Sequence, residues 1–245
     1  MEDKIENVRK IIKNAKKIVF FGGAGISTAS GIPDFRGKEG LYRIKSEYGV
    51  SYEEMLSHTY YKENPFNFFK FYKTSMIHSV AKPNAAHIAL ADFEKSHQNC
   101  LTVVTQNIDG LHQKAGANNV IELHGSVHRN YCELCHTFYS LDEIMNMNIV
   151  PKCPKCGGTI KPDVVLYEEP LDQDNIYSAT KAFESADVVI IGGTSLNVYP
   201  AAGLVSYYRG KHIILINLEK TQADQYAEYV FHDDITKVLP ELLKG

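Results

Sequence analysis

The stretch Ile18-Val-Phe-Phe21-Gly22-Gly-Ala-Gly25-Ile-Ser-Thr28 decides how the rest of the chain is read. A short β-branched and aromatic run stops at a cluster of glycines, as a buried strand does when it enters a tight turn. Upstream, Ile5, Val8, Ile11, Ile12 and Ala15 recur at helical spacing. Downstream, Leu101 to Thr105, Val188 to Ile191 and Ile213 to Ile216 repeat the strand signal. Each is a continuous apolar run, the pattern of a parallel sheet covered on both faces. Helical stretches at Ala85 to Lys95 and Ile176 to Glu184 lie between them. The alternation predicts an α/β fold, a Rossmann-like doubly wound parallel sheet. The glycine turn should then open a helix whose first amides face a pyrophosphate, although a turn without a ligand would look the same. The third glycine of the dinucleotide fingerprint is missing, as is an acidic residue about twenty positions on, so an ordinary NAD dehydrogenase is poorly served.

Two stretches break the rhythm. Residues 36–80 are crowded with aromatics, among them Tyr60, Tyr61, Phe66, Phe68, Phe69, Phe71 and Tyr72, without a clear strand. Residues 128–162 carry four of the five cysteines. The expected division is therefore a sheet domain from 1–35, 81–127 and 163–245, with a helical insertion at 36–80 and a zinc-binding insertion at 128–162. A cleft between them is the natural place for a small-molecule site.

The 245 residues are 44% apolar and 22% charged, enough for a buried core and against disorder. Net charge is −3, with no basic block, which disfavours nucleic acid as a partner. No apolar run approaches the roughly 18 residues of a membrane helix. The charged start, Met1 to Lys17, lacks the apolar core of a secretory signal, so a cytoplasmic location is expected.

Cys132-Glu-Leu-Cys135 and Cys153-Pro-Lys-Cys156, seventeen residues apart, have the spacing of a four-thiolate zinc site. Four thiolates leave no open position, so the ion expected there is structural. Ser30-Gly-Ile-Pro-Asp34-Phe35-Arg36-Gly37 sets a carboxylate, a ring and a cation within one turn. Thr105-Gln106-Asn107-Ile108-Asp109 ends a strand with polar side chains, where the ligand crevice of an open parallel sheet lies. His124 follows the apolar Val120 to Leu123, and a lone histidine in that position is more often structural than catalytic.

These segments, with Gly193-Thr-Ser-Leu-Asn-Val-Tyr-Pro-Ala-Ala202 and Ile216-Asn217-Leu218, occur in the order found in sirtuins. From about residue 5 to about residue 240 the chain resembles that family of NAD-dependent protein lysine deacylases, in its compact bacterial form. The resemblance implies a Rossmann-like large domain and a small domain of zinc and helical modules. It implies NAD as co-substrate and one structural zinc ion held by Cys132, Cys135, Cys153 and Cys156. Ala24, Thr28, Phe35 and Arg36 would contact NAD, with Gln106, Ile108 and Asp109 around the nicotinamide ribose and carboxamide. Asn107 would stand near the reacting ribose, Thr194 and Ser195 at phosphate or ribose, and Asn217 and Ile235 at the adenosine. The acyl-lysine carbonyl oxygen would attack the anomeric carbon as nicotinamide leaves, with His124 as general base and Asn107 and Asp109 orienting the sugar. Products would be free lysine, nicotinamide and O-acyl-ADP-ribose.

The protein substrate would add as a strand between Val164 to Glu169 and Ser195 to Tyr199. One departure stands there: the usual Phe-Gly-Glu is Tyr167-Glu168-Glu169. Glu168 is then either a plain surface replacement or a charge that favours basic residues beside the target lysine. The relatives that remove acidic acyl groups carry Tyr-x-x-Arg, and this chain has Tyr72-Lys-Thr-Ser75. A mono-ADP-ribosyltransferase and a non-catalytic NAD-sensing module are the competing functions.

Overall fold

Phe20 and Phe21 enter opposite faces of one parallel sheet, and each face has its own apolar layer. A computed structural model describes residues 2–33 and 49–244 of the chain. Among these, β1 (Ile18–Gly22), β2 (Leu101–Thr105), β3 (Val120–Glu122), β7 (Val188–Gly192), β8 (His212–Ile216) and β9 (Tyr229–Phe231) form the sheet, in the order β3-β2-β1-β7-β8-β9. Every pairing is parallel, with Gly22 level with Thr105 on one side and Gly192 on the other. The chain winds outward from β1 in one direction and from β7 in the other. The carboxyl ends of those two strands are therefore the switch point, where such sheets leave a crevice.

Helices α1 (Glu2–Asn14), α5 (Ala85–Ser96) and α9 (Ile235–Leu243) cover one face. Val8, Ile12, Leu90, Leu239 and Leu242 meet Ile18, Phe20, Val103 and Ile190 there. On the other face α8 (Gln173–Ser185) and a 3-10 segment at Ala201–Tyr207 pack Phe183, Ala179 and Leu204 on Val19, Phe21, Val189 and Ile191. The continuous burial of β1 and β7 explains their unbroken apolar sequences. Between α5 and α6 (Leu111–Ala115), His87 and His112 are fully buried with ring centroids 4.8 Å apart. Burial lowers their pKa values to about 4 and about 3, so both are neutral at physiological pH.

The smaller part has a core of its own. Short helices α2 (Tyr52–Met55), α3 (His58–Glu63) and α4 (Pro65–Phe71) lead into a π turn at Tyr72–Met76. The hydroxyls of Ser51 and Ser57 cap α2 and α3. The other half is an antiparallel sheet of β4 (Gly125–Cys132), β5 (Phe138–Ser140) and β6 (Ile160–Val164), in the order β5-β4-β6, plus α7 (Leu141–Met145). Met55, Tyr61, Phe68, Phe69 and Tyr72 bury against Val127, Tyr139, Ile144, Ile160 and Leu166, so helical and cysteine modules share one core. Lys73 adds a polar tie, its ammonium donating to the carbonyls of Ile144 (2.6 Å), Met147 (3.1 Å) and Asn148 (3.0 Å). The short β5 and the irregular burial of β4 leave no periodic apolar pattern in the sequence to mark this sheet.

The glycine turn does not open an α-helix. Two 3-10 turns, Ala24–Ile26 and Thr28–Ser30, follow β1 instead. The Thr28 hydroxyl bonds back to the Gly25 carbonyl at 3.0 Å, Gly31 turns left-handed at φ 82°, and Pro33 restricts Ile32.

Candidate active site

Three backbone turns converge at the switch point. The amide of Gly25 donates to the Gly193 carbonyl at 2.8 Å, and a Cβ on Gly25 would lie 2.8 Å from the Gly193 Cα. A Cβ on Gly23 would lie 2.8 Å from the Thr194 Cβ. The glycines thus let the loops after β1 and β7 touch, leaving a cradle of backbone at the sheet's edge. Above it opens a cavity of about 670 Å³, within the usual range for small-molecule sites.

The end of β2 supplies the polar wall. Gln106 donates its amide to Gly22 (3.0 Å) and its side-chain nitrogen to Thr194 Oγ1 (3.1 Å). Asn107 Nδ2 donates to Ser27 Oγ at 3.1 Å, and Ser27 Oγ donates to Asp109 Oδ2 at 2.7 Å. The other oxygen of Asp109 accepts the Leu111 amide at 2.9 Å, which anchors the carboxylate to the first turn of α6. Ser27 is wholly buried and joins the two strand-end residues in one row. Sequence reasoning passed over it, because a serine inside a glycine-rich turn reads as turn chemistry.

His124 stands between β3 and β4. Its Nδ1 lies 2.8 Å from the Gln106 carbonyl, which can only accept, so Nδ1 carries the proton and Nε2 keeps its lone pair. Burial holds its pKa below the usual imidazole value, the Gln106 hydrogen bond opposing this in part. Gly125 follows at φ 75°, and a Cβ there would come within 1.9 Å of the Asp163 carbonyl oxygen, so the turn that aims His124 excludes any other residue. The His124 carbonyl accepts the Val165 amide at 3.0 Å, linking the histidine to the segment after β6.

Ala24, Thr28, Gln106, Asn107, Ile108, Asp109, His124, Thr194, Ser195, Asn217 and Ile235 all line this one cavity. Asn217 also donates to the Thr194 carbonyl at 3.3 Å. Asp34, Phe35 and Arg36 lie outside the described residues. Val164 to Glu169 line the cavity, as do Ser195, Val198 and Tyr199. The Glu168 carboxylate is bonded to Thr59 on α3.

Cys132, Cys135, Cys153 and Cys156 form a separate cluster in the small part, with all four Sγ atoms within 4.8 Å of one another. Zinc–sulfur bonds of about 2.3 Å in a tetrahedron put sulfurs about 3.8 Å apart, so the cluster fits one ion. A Cβ on Gly158 would lie 2.8 Å from Cys132 Sγ, and the Tyr139 hydroxyl lies 3.0 Å from Cys153 Sγ. Both details suit a closed structural site with a supporting hydrogen bond.

The model of the Sir2 family matches residues 23–200. The chain belongs to the Sir2 family. An NAD-dependent protein deacetylase of Clostridium perfringens (strain 13 / Type A) is 56% identical to this Sir2 chain over 244 residues, covering 99% of it and 100% of the relative. A solved structure from work on the mechanism and regulation of Sir2 enzymes is 39% identical, with a TM-score of 0.87 and coverage of 99% of this chain and 97% of the other. A solved Sir2 with p53 peptide and NAD+ is 33% identical, with a TM-score of 0.85 and coverage of 98% and 97%. The fold expected from sequence, a Rossmann-like sheet domain with a zinc and helical small domain, is that of this Sir2 chain.

Proposed function

We propose that this chain is an NAD-dependent protein lysine deacetylase that moves the acyl group from lysine to ADP-ribose, consuming NAD and one water and releasing nicotinamide and the free lysine amine. The observation that carries the reading is the placement of His124, its Nδ1 held by the Gln106 carbonyl, in one cavity with the row formed by Asn107, Ser27 and Asp109. NAD, when bound, supplies the anomeric ribose carbon that takes the acyl oxygen as nicotinamide leaves. The chain supplies position and proton transfer. His124 Nε2 is the acceptor for a ribose hydroxyl proton, and burial keeps it unprotonated at neutral pH. Asn107 and Asp109 orient the sugar and the leaving group, their side chains fixed through Ser27. Gln106 and Ile108 complete the nicotinamide end. Ala24, Thr28, Thr194 and Ser195 hold phosphate and ribose on the glycine cradle, Asn217 and Ile235 hold the adenosine, and Phe35 and Arg36 close the set from outside the described residues.

The acylated substrate enters as an extended strand between Val164 to Glu169 and Ser195 to Tyr199. Lining of one cavity by both segments supports this. A cytoplasmic setting suits four cysteines used as metal thiolates. The test is nicotinamide release with matched peptides. Release should require both NAD and the acetylated peptide, and equal release with the unacetylated peptide would contradict the reading.

A further inference from the structure

Glu168 occupies a backbone conformation that its residue type disfavours, at φ 75°, in the left-handed region where the resemblance places glycine. Its side chain is engaged all the same. One carboxylate oxygen accepts both the Thr59 amide (2.9 Å) and the Thr59 hydroxyl (2.7 Å), and these bonds hold its pKa below the usual glutamate value. Glu169 repeats the pattern one residue on, meeting His58 Nδ1 at 2.8 Å with one oxygen and Lys161 Nζ (3.1 Å) and the Leu166 amide (2.9 Å) with the other. Between the two side-chain contacts runs a backbone bridge, Tyr167 donating to Leu56 and accepting from His58, each at 3.0 Å. Two successive carboxylates therefore grip two successive residues of α3, whose next residues, Tyr60 and Tyr61, are buried in the small-domain core.

We propose that Glu168 is a positioning residue, which clasps the segment 166–169 to α3 and so presents a preformed edge to the acylated peptide. The inference rests on the reading that the peptide adds as a strand along 164–169. With Oε2 aimed at Thr59, the carboxylate is assigned to the clasp rather than to selection of basic residues in the substrate. The two assignments differ in what they require, since the clasp needs only an acceptor for Thr59 whereas selection needs the negative charge. Ordering the edge before binding lowers the entropic cost of the encounter, so loss of the clasp falls on peptide affinity rather than on chemistry at His124.

Steady-state kinetics of Glu168→Gly, Thr59→Val and Glu168→Gln test this, with both KM values measured. Because the clasp is exposed, a three- to ten-fold rise in peptide KM is expected for Glu168→Gly, with kcat and the KM for NAD moved little. Thr59→Val keeps the amide and loses the hydroxyl, so it should fall between that variant and the parent. Glu168→Gln still accepts from Thr59 and should recover most of the affinity, with an unchanged ratio of kcat/KM between peptides flanked by Arg and by Asp. An unchanged peptide KM in Glu168→Gly would overturn the clasp, as would a flanking-charge ratio that collapses in Glu168→Gln. Hydrogen exchange of the unaltered protein separates the two layers of the argument. Protection of 164–169 by acetylated peptide, with kinetics unmoved by Glu168→Gly, removes the clasp alone, and absence of that protection removes the strand reading and the clasp together.

Discussion

His124 reaches its working form through its surroundings. The Gln106 carbonyl fixes which nitrogen bears the proton, and burial lowers the pKa, so the neutral imidazole dominates at physiological pH. The sign of the pH dependence follows. A base with a lowered pKa is active above that value and fails as pH falls through it. The acid limb of kcat/KM should therefore lie below the ordinary histidine value of about 6.5 and vanish in His124→Tyr, which should retain NAD binding while losing turnover. A limb above neutrality, or near-parental turnover in that variant, would contradict the assignment. Ser27 carries the second prediction at this scale. Its hydroxyl accepts from Asn107 and donates to Asp109, so Ser27→Ala leaves both without their buried partner. A loss of about 1–3 kcal/mol corresponds to a fall of roughly 5- to 150-fold in kcat/KM. A melting curve close to that of the parent would show that the fold is kept, and unchanged kinetics would remove Ser27 from the machinery. The contrast between these residues shows what a sequence can reveal. His124 and the strand-end polar residues stood out by motif, whereas Ser27 acquires its place only when β1 and β2 lie side by side.

Among the elements, legibility tracked length and burial. β1, β2, β7 and β8 are five residues each, and their continuous apolar runs were read directly. β3, β5 and β9 are three residues each, too short for any periodicity to register. β4 mixes buried and exposed positions irregularly and is interrupted where its register with β6 shifts between Ser126 and Asn130. It also runs from Gly125 to Cys132, across the expected division at 127/128. β4, β5 and β6 instead share one core with the aromatic helices, and β4 ends on Cys132 of the cysteine cluster. The metal prediction belongs here. Freshly purified protein should carry one zinc per chain by elemental analysis, and Cys132→Ser should lower the melting temperature and raise exposure of the small-domain core. Retention of full stability and activity after exhaustive chelation would contradict a structural ion.

At the scale of the whole molecule, the two parts meet over the cavity, and the helical part contributes the wall formed by Tyr72, Ser75, Met76 and Ile77. This wall bears on acyl choice. Tyr72 is buried and stacked on Phe68, its hydroxyl is without a partner among the described residues, and by the resemblance Ser75 takes the place of the Arg in Tyr-x-x-Arg. Lys73, the adjacent ammonium, is turned away and held by three carbonyls near α7. Arg43 lies outside the described residues. Among the described residues of this wall no cation is offered to an acidic acyl tail, and the missing bond is worth roughly 1.5–3 kcal/mol or about one to two orders of magnitude in rate. Acetyl should accordingly exceed succinyl in kcat/KM on one peptide, and Ser75→Arg should narrow the gap. Equal values in the parent would overturn this view of the wall.

The central claim is that the cavity transfers an acyl group from lysine to ADP-ribose, and product identity tests it most directly. The zinc-loaded protein is incubated with NAD and an acetyl-lysine peptide, and the products are weighed by mass spectrometry. The account predicts deacetylated peptide, nicotinamide and O-acetyl-ADP-ribose in equal amounts. A peptide heavier by one ADP-ribose, with its acetyl group retained, would contradict it and point to the transferase instead.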